Sequence, residues 1–437
     1  MNNKIVLLLT VILVTTMSLI AQERDATTGH SEAFDREEMI LGATYFFGGQ
    51  KSDGSFSNEL WATNGFGIFI QINAPGAPSA RRDHVSYVKD DKLYIQGGID
   101  KNGNCLNDWW VFDIIENTWT LLNSNVSSTC ASQKTAIKIH NKVYTSGGNS
   151  SNGTTLSDFG VFDLNNISSG YTAKTSMIEP LAGSAGFKKD GNVYLYGGKN
   201  NDWDAATPGK QPSYSSNTWK YDVINNFWSM IATNQTKSEN ESQSDIIELT
   251  EMAYTQDTLE NFFYVFGGKT YNYETNTEIY SNEIYKLDLN TFSWTKYTTT
   301  LPYGLADFTA SYIHGTNADT DTIILLGGQK ASGTISTNLF KFIPTTGELI
   351  TIPLTTSIKE YNLNSKISLY PNPAKDLLYI KHADKNTIVT IYNIAGKEII
   401  TTKPHNEIIN INKLAKGVYT IRIQSENTEI TDTFIKQ

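Results

Sequence analysis

The sequence predicts an all-β protein, a six-bladed β-propeller followed by a small antiparallel β-sandwich. Three observations predict this class. Pairs of adjacent glycines recur along the chain after strand-forming residues, large aromatic residues follow the pairs at regular offsets, and the C-terminal part changes to short alternating strands. A repeat of about fifty residues with one glycine pair per unit is typical of propeller blades.

The glycine pairs define the repeat, and their first glycines are spaced 49 to 70 residues apart. Glycine accepts a positive φ and has no Cβ, so a pair can end a strand where the backbone turns sharply or packs closely. The six pairs are Gly48-Gly49, Gly97-Gly98, Gly147-Gly148, Gly197-Gly198, Gly267-Gly268 and Gly327-Gly328.

Two aromatic positions follow in most units, with an Asp between them that suits a hairpin turn. Each buried ring covers roughly 150–250 Å², so a pair per unit supplies the face that packs against the next blade. The first aromatic is Trp61, Trp110, Trp219, Tyr285 or Phe340, the Asp is Asp113, Asp163, Asp222 or Asp288, and the second aromatic is Trp119, Trp228 or Trp294. The third unit has Gly160 and Ser169 at the aromatic positions, which predicts a thinner blade.

Glycine pair, aromatic residue, Asp and Trp at these offsets resemble the kelch motif over residues 35–356. The resemblance implies four antiparallel strands per blade, labelled a to d from the channel outward. The glycine pair then ends strand b, the first aromatic lies on strand c and the second on strand d. For the first blade, strand a is supplied either by 38–41 or by residues after Leu349 that return to close the ring.

Residues 1–21 predict a secretory signal peptide, because Lys4 precedes an uncharged apolar run from Ile5 to Ile20, with cleavage after Ala21. The alternative is a membrane anchor, but the run is short and acidic residues follow it. No later segment has the length and apolar character of a membrane span, so we expect none in the mature chain. The propeller is expected over 22–354 and a linker over 355–365.

Residues 366–437 resemble the type A C-terminal sorting domain of the bacterial type IX (Por) secretion system. The motifs are Tyr370-Pro371-Asn372-Pro373, the segment from Leu414 to Tyr419 and the closing Phe434-Ile435-Lys436. The resemblance implies export through the periplasm to the cell surface or the medium, with the type IX machinery as a partner. The alternative is a carbohydrate-binding or immunoglobulin-like module.

The chain has a formal charge of −10, although residues 366–437 hold ten Lys and Arg against seven Asp and Glu. The propeller is therefore acidic and repels phosphate backbones, which argues against a nucleic-acid partner. The two cysteines, Cys105 and Cys130, fall on neighbouring loops of one face. In an exported protein they form either a disulfide or two free thiols.

No catalytic or metal-binding motif is present: HxH, HExxH, CxxC, a phosphate loop and a nucleophile elbow are all absent. We therefore expect no catalytic residues, no metal and no cofactor, and a binding protein is favoured over an enzyme.

The longest loops belong to the fourth and fifth units and emerge on the face that carries the b–c and d–a connections. They hold the candidate binding residues Asp202, Trp203, Asp204, Tyr214, Tyr271 and Tyr273. Exposed aromatic rings beside carboxylates can stack on sugars or anchor a protein, although loop decoration without function is the alternative. The predicted function is a secreted or cell-surface protein that binds a glycan or a protein.

Arg81 and Arg82 precede an inner strand and are further binding candidates. The sialic-acid mutarotases are also exported kelch propellers, with acid and base residues at the channel mouth, so the alternative function is a sugar mutarotase or epimerase. An arginine here can instead tie neighbouring blades together.

Overall fold

The computed structural model describes residues 27–34, 44–63, 69–124, 130–201, 212–231, 234–235, 248–313, 321–353, 368–370, 374–381, 387–392, 398–404, 408–425 and 428–436. The chain divides into two compact units, Met1–Leu354 and Thr355–Gln437. Within these described ranges the only helical element is the 3₁₀ turn Ile167–Ser169. None of the described helical segments has the length and apolar character needed to cross a membrane.

Among the described residues, the first unit contains five four-stranded antiparallel sheets and one five-stranded sheet, numbered 1 to 6 in chain order, together with three two-stranded sheets. Their strands a to d are as follows: sheet 1, Ser31–Phe34, Thr44–Phe47, Leu60–Thr63 and Phe69–Ile72; sheet 2, Val85–Lys89, Lys92–Gln96, Trp109–Asp113 and Thr118–Asn123; sheet 3, Thr135–Ile139, Lys142–Ser146, Phe159–Asp163 and Tyr171–Ala173; sheet 4, Ala185–Lys189, Asn192–Tyr196, Thr218–Asp222 and Phe227–Ile231; sheet 5, Ala253–Gln256, Phe262–Phe266, Ile284–Asp288 and Ser293–Lys296; sheet 6, Leu305–Ile313, Thr322–Lys330, Asn338–Ile343 and Glu348–Pro353. The short strand Asn234–Gln235 pairs in parallel with strand 5d. The predicted all-β propeller class is confirmed, and each glycine pair belongs to one sheet.

Both predicted sources of strand 1a are wrong. Strand 1a is Ser31–Phe34, which pairs with Thr44–Phe47, and the residues after Leu349 belong to the outer strand of sheet 6. Residues 38–41 lie outside the described residues. Sheet 1 is therefore built only from the N-terminal part of the chain, and it meets sheet 6 through contacts between their inner strands.

A closed circle of backbone hydrogen bonds joins the starts of the six inner strands. One residue per sheet donates its N–H to the carbonyl of the preceding one, at 2.8 to 3.0 Å, and the last link runs from Gly29 to Asp307. The members of this central ring are Gly29, Asp83, Gln133, Gly183, Glu251 and Asp307, and all have φ between 54° and 65°. A left-handed conformation costs a non-glycine residue about 1–2 kcal/mol, so the hydrogen bonds of the closed circle must hold the four side-chain-bearing members in place.

The glycine pairs tie each sheet to the chain segment that enters the next sheet. At the third pair, Gly148 donates its N–H to the carbonyl of Leu181 at 2.9 Å, and a Cβ on Gly147 would collide with the same oxygen. Both glycines have a positive φ, 58° and 92°. The pair is therefore required by conformation and by close packing together.

The aromatic and Asp positions behave as the repeat predicts. Trp119, Trp228 and Trp294 are 9% exposed or less, and each turn Asp caps its own hairpin. The Asp222 carboxylate, for example, accepts the N–H groups of Ile224 at 3.0 Å and Asn225 at 2.8 Å.

The third sheet keeps four strands, although its strand 3d has only three residues. The ring of Tyr171 occupies the space where a side chain at Gly160 would stand, so this tyrosine replaces the missing aromatic pair.

The second unit contains a three-stranded sheet of Ser368–Tyr370, Leu377–Lys381 and Ile408–Asn410, and a four-stranded sheet of Glu398–Thr402, Ile388–Tyr392, Gly417–Ser425 and Thr428–Lys436. Side chains from both sheets share one core, which includes Leu378, Ile391 and Ile421. In the nine-residue strand Gly417–Ser425, the side chains of Tyr419, Ile421 and Ile423 are buried, as the alternating pattern predicts. This unit is a small antiparallel sandwich.

Candidate functional site

The b–c connections of sheets 4 and 5 form two additional hairpins on the loop face, the face that carries the b–c and d–a connections. The sheet 4 hairpin pairs Lys199–Asn200 with Ser213–Tyr214. The sheet 5 hairpin pairs Lys269–Asn272 with Thr277–Tyr280. The polar turn at 272–277 carries Asn272, whose side chain accepts two backbone N–H groups.

Three of the predicted binding residues meet where these hairpins touch. The rings of Tyr214 and Tyr271 stack with centroids 5.8 Å apart and an interplanar angle of 23°. Tyr273 packs edge-on against Tyr271 at 5.1 Å. Exposure rises across the cluster, from the buried Tyr214 (4%) through the half-buried Tyr271 to Tyr273 (53%). Tyr214 is therefore a supporting residue and not the exposed contact that the sequence predicts.

Charged groups hold the cluster in place. The Glu278 carboxylate accepts a hydrogen bond from the Tyr214 hydroxyl at 2.6 Å and one from the Lys199 ammonium at 2.7 Å. The Lys199 ammonium also lies 5.5 Å from the centre of the Tyr214 ring. Burial raises the pKa of Glu278, but the hydrogen bonds from Lys199 and Tyr214 outweigh it and hold the pKa below its usual range. This carboxylate stays ionised and locks the two hairpins together.

Tyr273 has its own carboxylate partner at the outer edge. Its hydroxyl donates a hydrogen bond to the Glu248 carboxylate at 3.1 Å. Burial raises the pKa of Glu248 above its usual range, and the hydrogen bond from Tyr273 opposes this rise without cancelling it. The ring is thus held at its hydroxyl while about half of its surface stays exposed.

A second polar group surrounds the central ring. Lys269 lies 2.5 Å from the Glu251 carboxylate and 4.0 Å from the carboxylate of Asp307. Arg82 lies 3.5 Å from Asp83. Three carboxylates and two cations therefore crowd the mouth of the channel.

Burial shifts the protonation of these mouth residues. It raises the pKa of Asp83 to about 6, with Glu251 adding to the rise and Arg82 and Lys269 opposing it. Burial also raises the pKa of Asp307 well above its usual range, helped by Glu251 and Asp83. Burial alone would lower the pKa of Lys269, but Glu251 and Asp307 raise it. Both buried carboxyls therefore keep their protons to a higher pH than an exposed carboxyl does.

Arg81 has the environment of the structural alternative, an arginine that ties parts of the propeller together, and not that of an exposed ligand contact. Its side chain is fully buried and forms a bidentate pair with Asp108 at 2.6 and 2.8 Å. Its remaining N–H groups donate to the Gly97 carbonyl and to Ser79, so all five donors are used. Arg82 is partly exposed and lies 5.7 Å from the Phe56 ring centre.

Cys105 and Cys130 form a disulfide with Cα atoms 5.9 Å apart, which decides between the two predicted states. Asp202, Trp203 and Asp204 lie outside the described residues. Among the residues that are described, no group of three or more His, Cys, Asp or Glu side chains could hold a metal ion.

The sequence did not single out Glu248, Glu278, Glu251, Lys269 or Asp307. The ring residues share a positive φ and not a residue type, so no repeated letter marks them. Finding Glu278 would have required knowing which residues pair across the sheet 5 hairpin and how that hairpin meets the sheet 4 hairpin.

Comparison with known families identifies both units. The family model for the Attractin/LZTR1 beta-propeller matches residues 68–332. The chain belongs to the Attractin/LZTR1 beta-propeller family. The closed ring of backbone hydrogen bonds and the kelch-type glycine pairs are both features of this propeller.

The tail of this Attractin/LZTR1-type protein matches a second model, the secretion system C-terminal sorting domain, over residues 368–437. The predicted type IX sorting domain is confirmed, and the protein is exported to the cell surface or beyond it.

The propeller is also similar to the solved structure of YjhT, with 16% identity, a TM-score of 0.55, and coverage of 75% of this chain and 97% of that chain. At this identity the likeness concerns the fold. No curated protein matches this member of the Attractin/LZTR1 beta-propeller family.

Proposed function

We propose that this exported propeller binds a glycan through the surface formed by its sheet 4 and sheet 5 hairpins. The observation that carries the proposal is the exposed Tyr273 ring, supported from behind by Tyr271 and the buried Tyr214. A rigid aromatic face loses little conformational entropy on binding and can stack on the apolar face of a sugar ring.

The polar groups beside the tyrosines suit hydroxyl recognition. Glu248 and Glu278 are fixed by hydrogen bonds, so their free oxygen positions are held in place before a ligand arrives. A preorganised carboxylate can accept hydrogen bonds from sugar hydroxyls without paying for its own ordering. A protein partner would use the same ring as an anchor, and the assay below separates the two.

The test is binding of the full-length protein to a glycan array, with Tyr273→Ala and Tyr271→Ala as variants. We expect at least a tenfold loss of affinity for the selected glycans, which corresponds to about 1.4 kcal/mol. Phe227→Ala is the matched control, because Phe227 is a similarly exposed ring (48%) on strand 4d, outside the hairpins. Equal losses of glycan affinity in all three variants would contradict the proposal. Binding of the protein to a component of a protein extract, without binding to any glycan on the array, would also contradict it.

A second function, sugar mutarotation, is favoured by the mouth carboxylates. Mutarotation opens a cyclic hemiacetal: one group gives a proton to the ring oxygen while another takes the anomeric hydroxyl proton, and closure on the other face reverses both transfers. Asp83 and Asp307 have raised pKa values, and a carboxyl that titrates near the working pH suits this exchange.

Anomer exchange of sialic acid and of neutral reducing sugars, followed by NMR, tests this second function. Catalysis should be lost in Asp307→Asn and kept in Asp53→Asn, since Asp53 is an exposed turn residue of sheet 1. Exchange at the uncatalysed rate with the unaltered protein would exclude it, whatever the glycan array shows.

A further inference from the structure

Most junctions between neighbouring sheets are filled by a side chain that packs at the first glycine of a pair. At five junctions this side chain would lie within 3.2 Å of a Cβ built on that glycine. The pairs are His30 with Gly327, His84 with Gly48, Met177 with Gly147, Met252 with Gly197 and Phe308 with Gly267. These side chains close the gap between one sheet and the next.

The junction between sheets 2 and 3 is not filled. Among the described residues, no side-chain atom lies within 4 Å of a Cβ built on Gly97, and its nearest neighbours are the carbonyl oxygens of Leu106 at 3.3 Å and Ala131 at 3.5 Å. The position equivalent to His84 and Met252 is Lys134, whose Cγ instead packs 3.0 Å from a Cβ position on Gly148 of its own sheet. A gap therefore remains where the other junctions are closed.

The gap is a pocket with an empty volume of about 240 Å³, counting the part open to solvent. Gln96, Lys134 and Asp83 line it. Its enclosed end has room for little more than a water-sized group. The disulfide borders the pocket, because Leu106 follows Cys105 and Ala131 follows Cys130, so both bounding carbonyls are fixed covalently.

Two polar groups at this junction have unmet bonding capacity among the described residues. The Gln96 side chain is 4% exposed and its Oε1 has no partner. Gly98 lacks the N–H bond that Gly49, Gly148, Gly198 and Gly268 each donate to the entering segment. Buried polar groups are normally satisfied, so a bound polar group at this junction would complete the bonding of both.

The charge in the pocket favours an anion. The half-buried Lys134 forms no hydrogen bond or ion pair with the described residues; burial lowers its pKa, and the Asp158 carboxylate opposes that shift. The other charged lining residue, Asp83, is already offset by Arg82 at 3.5 Å. A bound anion would supply the acceptor that the ammonium lacks.

We propose that the junction between sheets 2 and 3 binds a small carboxylate, held by the Lys134 ammonium, the Gly98 N–H and the amide of Gln96. The two oxygens of a carboxylate can accept from two donors at once. The Gln96 amide can present its nitrogen, because the oxygen and nitrogen of an amide are assigned from the network around them. The small enclosed end admits one carboxylate oxygen and excludes a sugar ring, while the rest of the anion lies in the part open to solvent, so this site is separate from the glycan surface.

Calorimetric titration of the full-length protein with formate and acetate tests the proposal, with acetamide as the uncharged counterpart of acetate. We expect one saturable site for each carboxylate, none for acetamide, and at least a tenfold loss of affinity in Lys134→Met. This variant should fold, because Met252 fills the equivalent junction. Lys142→Met is the control, since it removes the same charge from an exposed position of strand 3b.

Gln96→Leu provides a second variant and should also weaken formate binding by several-fold. Equal formate affinity in the Lys134→Met and unaltered proteins would overturn the proposal, as would the lack of a saturable site. A crystal structure grown in formate that shows only water at Lys134 would overturn it too.

Discussion

Removing the disulfide should destabilise the propeller by an amount that its loop length sets. Cys105 and Cys130 are 25 residues apart. In the chain-entropy description, a cross-link that closes a loop of this length restricts the unfolded chain by roughly 3.5 kcal/mol at 25 °C. The double variant Cys105→Ser/Cys130→Ser should therefore lose about this much stability.

The corresponding change in melting temperature is small because the propeller is large. With an unfolding entropy of about 2.1 cal/mol/K per residue, a unit of roughly 320 residues has about 0.7 kcal/mol/K, so the expected decrease is about 5 °C. Melting followed by circular dichroism, with and without reductant, measures it.

The double variant also serves as the control for the reductant. Reductant should lower the melting temperature of the unaltered protein and leave that of the variant unchanged. Alkylation of two thiols in the non-reduced exported protein, or equal melting temperatures for both proteins, would refute the reasoning.

Three further predictions concern the glycine pairs, the channel mouth and the tail. Gly147→Ala should lower the free energy of unfolding by roughly 2–4 kcal/mol, because its Cβ would collide with the Leu181 carbonyl and its φ is 58°. The control Gly153→Ala has a φ of 87° and open space around its Cβ, so it should lower the free energy of unfolding by only about 1–2 kcal/mol. Denaturant titration measures both. Burial raises the pKa of Asp83 from 3.8 to about 6, so the folded protein loses stability as this carboxyl ionises between about pH 4 and pH 6. Asp83→Asn should therefore raise the melting temperature at pH 7.5 and not at pH 4. A higher melting temperature at both pH values would contradict this. Deleting 366–437 should leave the propeller in the periplasm, measured by cell fractionation, and normal surface appearance would argue against the sorting role.

The repeating part of the fold could be predicted because each repeat feature has a local physical cause. The glycine pairs need positive φ, and the Asp turns satisfy backbone N–H groups within three residues. Strand 1a could not be placed, because Ser31–Phe34 lies before the first glycine pair, outside the repeat offsets that are counted forward from each pair.

The candidate site was predicted in outline only. Loop length indicated the two sheets that carry the additional hairpins, and the structure brings Tyr214, Tyr271 and Tyr273 together as a cluster. Their different burial depends on the register between two hairpins that are far apart in sequence. Arg81 shows the same limit, because only its five hydrogen bonds reveal that it is structural.

Hydrogen exchange of the full-length protein, with and without the glycan that the array selects, tests the central claim most directly. We expect slower exchange in the sheet 4 and sheet 5 hairpins, at 199–200, 213–214 and 269–280. The turn at 113–118 of sheet 2, on the opposite face, should exchange at an unchanged rate. Protection of that turn, with no protection of the hairpins, would contradict the account.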